Sequence, residues 1–299
     1  MIRLAVRVRR AQAELVLAEL LELAPGGVEE RQIGEDTIEY AVYGAPGELP
    51  ELPDLEAAAG EALVEISTSE TADDWQERWK QFHRPVLVEP SVDWAAVRSV
   101  PSVRVRPPWE PASGSDGSAG RTQEIVIDPG QAFGTGAHAT TRLCLALLLE
   151  LAATGSEPGP LLDIGTGSGV LAIAAARLGF APVLALDHDR LSVDAAQVNA
   201  AGNDTQVELR RVDLRQEAVP WLGACEAPDG PIVAVANLLR PLLLDLAGSI
   251  TRAPAHMLAG GLLCGQVDEI VQAFAARLGM RERKRESDGE WAAVWLVAE

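Results

Sequence analysis

The stretch LLDIGTGSGVLAIAAA, Leu161 to Ala176, reads as an apolar strand, a turn built on Gly165, Gly167 and Gly169, and a helix opened by that turn. Glycines here allow a tight turn and bring backbone amides at a helix N-terminus close to a ligand. The dinucleotide fingerprint G-x-G-x-x-G, aligned on Gly165, needs glycine at position 170. The residue there is Val170, which disfavours a nicotinamide dehydrogenase. About twenty residues beyond Gly165 the strand VLALDHD ends in Asp187, where an acidic side chain meets ribose hydroxyls in such folds. The later strand AVANLL carries Asn237 at its C-terminal end, the edge on which open α/β sheets hold ligands.

Around this unit, short apolar runs alternate with helical patterns from Ile127 onward: LCLALLLEL, LLDIG, VLAIAAARLG, PVLALDHD, LSVDAAQVNAAGN, VELRRVDL, IVAVANLL, PLLLDLAGSI, GGLLCGQV, VQAFAARLG and AAVWLVAE. Such alternation predicts βαβ crossovers and a mainly parallel sheet buried on both faces. Asp163 before the turn, the G-x-G-x-G turn itself and Asp187 describe a site for S-adenosylmethionine, a cofactor without phosphate. A second glycine-rich segment, IDPGQAFGTGAHATTR (Ile127 to Arg142), lies just upstream. It is expected to act as a flap over the methionine and sulfonium end, its glycines letting backbone approach the reacting centre.

Residues 1–69 have a different rhythm. IRLAVRV alternates as a half-buried strand, AQAELVLAELLEL has helical spacing, and VEERQIG with DTIEYAVYG forms a hairpin around Gly34-Glu35. ELPELPDLEAAAG is a short helix or loop limited by Pro50 and Pro53, and ALVEIST is a strand. The order β-α-β-β-α-β predicts a small ferredoxin-like module. Residues 70–83 form a helical linker with Trp75, Trp79 and Phe82 on one face, leaving 84–299 as the larger domain. PVLVEP, VRVRPPW and QEIVI are strand-like, and PASGSDGSAG between them is a surface loop.

The 299 residues carry 44 acidic and 25 basic side chains, a net charge of −19. That balance argues against direct nucleic-acid binding, which needs Lys and Arg for phosphates, and suits a basic partner. No apolar run reaches membrane-spanning length, and the N-terminus lacks the features of a signal peptide. Cys144, Cys225 and Cys264 show no metal-ligand spacing, so no metal is expected and a reduced, cytoplasmic setting is the natural one.

DPGQAFGTGAHATTRLCL, LLDIGTGSGVLAIAA, LALDHD and AVANLL, in this order, resemble the PrmA family, which methylates large-subunit ribosomal protein eleven with S-adenosylmethionine. DWQERWKQF followed by VRVRPPWEP resembles that family's link between a small substrate-recognition domain and the catalytic domain. The resemblance implies a class I methyltransferase-like Rossmann sheet, mostly parallel with an antiparallel last strand, behind the small α+β domain. It implies an N-methyltransferase, expected to be a monomer, acting on α-amino or lysine ε-amino groups of that basic ribosomal protein. It places Thr141, Gly165, Asp187 and Asn237 at the cofactor, with Phe133, Gly134 and His138 around its methionine end. Asp163 and Gly167 join the cofactor set from the loop itself. Two departures stand out. Asn237-Leu238-Leu239-Arg240-Pro241 replaces an Asn-Ile-Leu motif often followed by Ala, and Ala139 replaces the usual Pro before the paired threonines.

In-line transfer to a neutral amine depends mainly on positioning, and Asn237 is the residue expected to aim it, unless it only caps a helix. His138 is either a proton acceptor or a loop histidine bonded to its own backbone. A methyltransferase of the same fold with another protein or small-molecule amine as target, and a non-catalytic cofactor-binding module, are the rival readings.

Overall fold

The computed structural model describes residues 2–13, 16–17, 20, 28–34, 36–44, 49–50, 53, 55, 59–70, 83–89, 100–112, 122–129, 136–154, 158–223 and 227–298. Two compact units emerge, Met1–Phe82 and His83–Glu299.

In the first unit, β1 (Ile2–Arg9), β2 (Glu29–Gln32), β3 (Thr37–Gly44) and β4 (Leu63–Glu70) form one sheet in the order β2-β3-β1-β4. Every pair in it is antiparallel. The alternation in β1 sends Leu4, Val6 and Val8 to one face. There they pack with Ala13, Val16, Leu20, Leu55 and Ala59 from the helical segments. On the other face Glu39 is only 4% exposed. Its carboxylate accepts from Arg3 Nη2 at 2.5 Å and from Arg7 Nε at 2.8 Å. Burial alone would raise the Glu39 pKa, but the two guanidiniums hold it below the ordinary value. The strand order is that of the ferredoxin-like module expected from the sequence. Residues 71–82, which include Trp75, Trp79 and Phe82 of the expected linker helix, lie outside the described residues.

The second unit begins with a small sheet of β5 (Val86–Val88), β6 (Ser102–Arg106) and β7 (Thr122–Val126), with β6 central. Then come α1 (Ala139–Ala153), β8 (Leu161–Ile164), α2 (Val170–Arg177), β9 (Val183–Asp187), α3 (Arg190–Gly202), β10 (Glu208–Arg211) and β11 (Val233–Asn237). They are followed by α4 (Arg240–Ser249), β12 (His256–Leu263), α5 (Val267–Leu278), β13 (Arg281–Asp288) and β14 (Trp291–Val297). Strands β8 to β14 form a seven-stranded sheet in the order β10-β9-β8-β11-β12-β14-β13. The five strands from β10 to β12 are parallel, and β14 runs antiparallel to both its neighbours. This is the class I methyltransferase-like sheet. The chain leaves the edge at β10 and returns beside β8, so the strand order reverses between β8 and β11. A crevice opens at their C-terminal ends, where ligands bind in open α/β sheets.

Both faces of the sheet are covered, which explains its nearly continuous apolar strands. Leu161, Val183, Ala185, Val233 and Val235 pack towards α1 and α2. Leu162, Ile164, Leu184, Leu186, Ala234 and Ala236 pack towards α4 and α5. Two strand readings need correction. The strand placed at GGLLCGQV begins earlier, at His256, and Cys264–Gln266 is a 3-10 turn. Pairing with β11 from Val233↔His256 fixes that start. RERKRESD, which shows no apolar alternation, is the edge strand β13, and its charged residues suit an edge that must not pair with another chain.

Candidate functional site

Strand β8 delivers Asp163 to the crevice from the α2 side of the sheet. Its side chain is fully buried, and Oδ2 accepts from Thr166 Oγ1 at 2.7 Å and from the Ala172 amide at 3.2 Å. Oδ1 is buried without a hydrogen-bond partner among the described residues. Burial pushes this carboxyl up to about 7, against the pull of those two hydrogen bonds and with a further push from the Asp187 charge.

The glycine turn follows. Gly165 has φ +75°, a conformation that L side chains rarely adopt, and a Cβ there would lie 2.4 Å from Leu238 Cδ2 and push that side chain aside. The amides of Gly165 and Thr166 both donate to Leu186 O, at 2.8 and 2.9 Å, fixing the turn against the end of β9. At that end Asp187, 9% exposed, accepts from Gly167 N at 2.9 Å and from Asp189 N at 3.0 Å. The carboxylate therefore clamps the turn from the neighbouring strand. A cavity of about 140 Å³ lies beside it, with Gly165, Asp187, Asp213 and Leu238 among its walls.

Asn237 ends β11 across the crevice. Its Nδ2 donates to Thr141 Oγ1 over a long 3.4 Å, and its Oδ1 is buried with no partner among the described residues. An acceptor left in this state costs on the order of 1–3 kcal/mol, so positions of this kind call for an explanation. Asn237 does not cap α4, whose N-cap is Leu239, with Pro241 in the first turn. Thr141 is fully buried in the first turn of α1.

His138 is the N-cap of α1. Its Nδ1 accepts from the Thr140 amide at 3.3 Å and lies 2.8 Å from Thr140 Oγ1. Its ring meets Trp291 edge-on, with centroids 4.9 Å apart. Burial first, then the charge of Arg142, lower its pKa below the ordinary value. Arg142 in turn donates to Ala137 O and pairs with Asp288 on the β13–β14 hairpin. Upstream, Gly136 has φ +86°, and a Cβ there would sit 2.9 Å from Val105 Cγ1.

The structure thus brings Asp163, Gly165, Gly167 and Asp187 together on one side of the crevice, and Asn237 with Thr141 on the other. Phe133 and Gly134 fall within residues 130–135, outside the described residues, as does most of the glycine-rich core of the expected flap. Trp291 beside His138 was not foreseen, because only the hairpin carries it to this edge. Asn199 was not foreseen either. Its one sequence signal is a polar carboxamide inside a helix, where asparagine has poor propensity. Among the described residues no cluster of three or more His, Cys, Asp or Glu side chains could hold a metal, and no helix is long and apolar enough to cross a membrane.

Comparison with known proteins follows the same lines. The family described as ribosomal protein L11 methyltransferase (PrmA) matches residues 48–299. A ribosomal protein L11 methyltransferase from Symbiobacterium thermophilum is 36% identical over 224 residues, covering 74% of this chain and 65% of that protein. The one from Syntrophotalea carbinolica is 32% identical over 327 residues, covering 100% of this chain and 98% of that protein. A crystal structure of a ribosomal protein L11 methylase from Lactobacillus delbrueckii subsp. bulgaricus superposes with a TM-score of 0.55 at 29% identity. It covers 71% of this chain and 98% of that one. Matches to several relatives, the first included, span just under two thirds of their length. With the family match extending over most of its length, the chain belongs to the PrmA family.

Proposed function

We propose that this chain is an S-adenosylmethionine-dependent N-methyltransferase whose target is amino groups, α-amino or lysine ε-amino, of a large-subunit ribosomal protein. The observation that carries the reading is the buried Oδ1 of Asn237, without a partner among the described residues, at the C-terminal end of β11, the sheet edge that also bears the glycine turn. The names of its relatives, ribosomal protein L11 methyltransferases, support the substrate class. So does the net charge of −19, which favours a basic protein. The unit within residues 1–69 is assigned to substrate recognition, 70–83 to the link, and 84–299 to catalysis, with the cytoplasm as the compartment.

The residues present suit the cofactor. Asp187 stands where ribose hydroxyls are met, and the turn offers close backbone approach without a cationic side chain for phosphate. Asp163 Oδ1 is an acceptor without a partner among the described residues, suited to an ammonium group. When bound, the cofactor supplies a methyl group already activated by its sulfonium charge. Thr141 fixes the Asn237 amide from one side. Asn237 Oδ1 accepts from the target amine and aims its lone pair, a task of orientation. His138 is assigned the proton-acceptor role at Nδ1, giving up its bond from the Thr140 amide to take the proton that an incoming ammonium must lose. Phe133 and Gly134, by family resemblance alone, join the methionine end.

Purified chain is incubated with labelled S-adenosylmethionine and a ribosomal-protein mixture, and products are read by mass spectrometry. Label on amino groups of a large-subunit protein is expected, and label on small molecules only, or none, would refute the reading. Asn237→Ala should lower turnover by about a hundredfold while leaving cofactor affinity by calorimetry near the parent's. Near-normal turnover would remove Asn237 from the mechanism.

A further inference from the structure

Helix α3 and its C-cap carry two buried asparagines one turn apart, Asn199 at 5% and Asn203 at 2% exposure. Both face the strand end that leads towards α1. Asn203 Oδ1 accepts from Val126 N at 2.8 Å and its Nδ2 donates to Val126 O at 2.7 Å, as a neighbouring strand would. Asn199 Oδ1 accepts from Asp128 N at 3.0 Å. The spacings match: four helical residues rise about 6 Å, and two extended residues about 6.7 Å. The pair therefore reads successive inward-facing backbone groups of residues 126 and 128.

The second half of each carboxamide separates the two residues. Asn203 Nδ2 returns to its own helix, at Asn199 O, 2.8 Å away. Asn199 Nδ2 instead donates to Ser168 O at 2.8 Å, inside the turn Gly165–Gly169. One buried side chain thus joins the backbone of the cofactor turn to the backbone just beyond β7, at Asp128. Only a group with one donor and one acceptor at this length satisfies both. Aspartate lacks the donor, leucine lacks both, and serine is too short.

We propose that Asn199 is a positioning residue for methyl transfer, setting the cofactor turn in register with the chain that leaves β7 at Asp128, while Asn203 only fastens the end of β7 to α3. This rests on the cofactor reading above. The two residues form a matched comparison, similar in burial and hydrogen bonding but different in what they connect.

The test uses the full chain with Asn199→Ser, Asn199→Asp and Asn203→Ser. The readouts are the melting temperature, the Kd for S-adenosylhomocysteine by calorimetry, and kcat. Asn199→Ser and Asn203→Ser should lower the melting temperature similarly. Asn199→Ser alone should weaken S-adenosylhomocysteine binding and lower kcat, each by about tenfold. Asn199→Asp, which keeps the bond to Asp128 but not to Ser168, should follow it. Equal effects from the Asn199 and Asn203 variants, or none from Asn199→Ser, would overturn the proposal. Should the Asn199 variants not fold, hydrogen exchange on the parent protein decides. S-adenosylhomocysteine should slow exchange at the Asp128 amide, and unchanged exchange there would overturn the proposal. A parent protein that binds no S-adenosylhomocysteine refutes the cofactor reading, whereas one that binds it but is indifferent to Asn199 refutes only the tie.

Discussion

Asp163 makes the chain's stability depend on pH in an uncommon direction. Its carboxyl is fully buried, with one oxygen unpartnered among the described residues, and burial raises its pKa from an ordinary 3.8 to about 7. A group that binds its proton more tightly when folded gives the native state more protons than the unfolded state between those two values. Stability from this group is therefore greatest at acid pH, falls as pH rises through the window, and levels off above about 7. At about 1.36 kcal/mol per pH unit the loss across the window is on the order of 4 kcal/mol, as an upper bound. Asp163→Asn keeps an acceptor for Thr166 and Ala172 but removes the ionisation. Urea denaturation of both proteins in steps from about pH 5 to about pH 8 cancels the remaining carboxylates. The Asn variant should gain on the parent steadily as pH rises to about 7 and hold its advantage beyond. Curves that stay parallel to within about 0.5 kcal/mol would refute the reasoning, because they would mean that Asp163 titrates alike in both states. A bound cation beside the carboxylate should reverse part of this penalty. Binding of the parent to S-adenosylmethionine should accordingly weaken as pH falls below about 7, and that of Asp163→Asn should not.

Three further outcomes follow from the same geometry. His138→Ser keeps an oxygen at the N-cap of α1 but loses the imidazole. Turnover on an α-amine should fall at least about tenfold near pH 7 and little near pH 9, where such an amine is already neutral; a loss independent of pH would reduce His138 to a cap. Glu150, 3% exposed on α1, is paired with Lys284 Nζ at 2.5 Å, and its Oε2 has no partner among the described residues. Lys284→Met should cost about 2 kcal/mol, discounted because the lysine is partly exposed, and adding Glu150→Leu should recover most of it in the same urea assay. Gly136→Ala should cost about 2 kcal/mol and roughly 5 °C in melting temperature, since the residue needs a positive φ and its Cβ would press on Val105. An unchanged melting temperature would show that the segment shifts freely.

The glycine-turn side of the crevice was legible because local rules write it. An apolar strand, three glycines and an apolar helix occupy consecutive residues, and Asp187 and Asn237 each end a strand whose pattern is plain. Long-range pairing is not written that way. RERKRESD carries no apolar alternation, and it is a strand because β14 offers it hydrogen bonds. The strand-like pieces between Val86 and Val126 were visible, but not their assembly into a separate sheet around β6. Asn199 and Asn203 drew no separate reading within LSVDAAQVNAAGN, because nothing local says that a strand end passes over that face. His138 needed coordinates as well, since its spacing to Thr140 does not choose between a cap and a catalytic role.

The bond from Arg142 to Asp288 joins residues 146 positions apart. Closing so long a loop is entropically unfavourable and slows the search for native contacts. On a ribosome, the strands around Gly165 emerge and can pair well before the β13–β14 hairpin exists. A nascent chain can therefore hold a finished glycine turn while the start of α1 still lacks Trp291 and Asp288 to lean on. Competence for chemistry is then decided among the last steps of synthesis, by residues far in sequence from the glycine turn at Gly165.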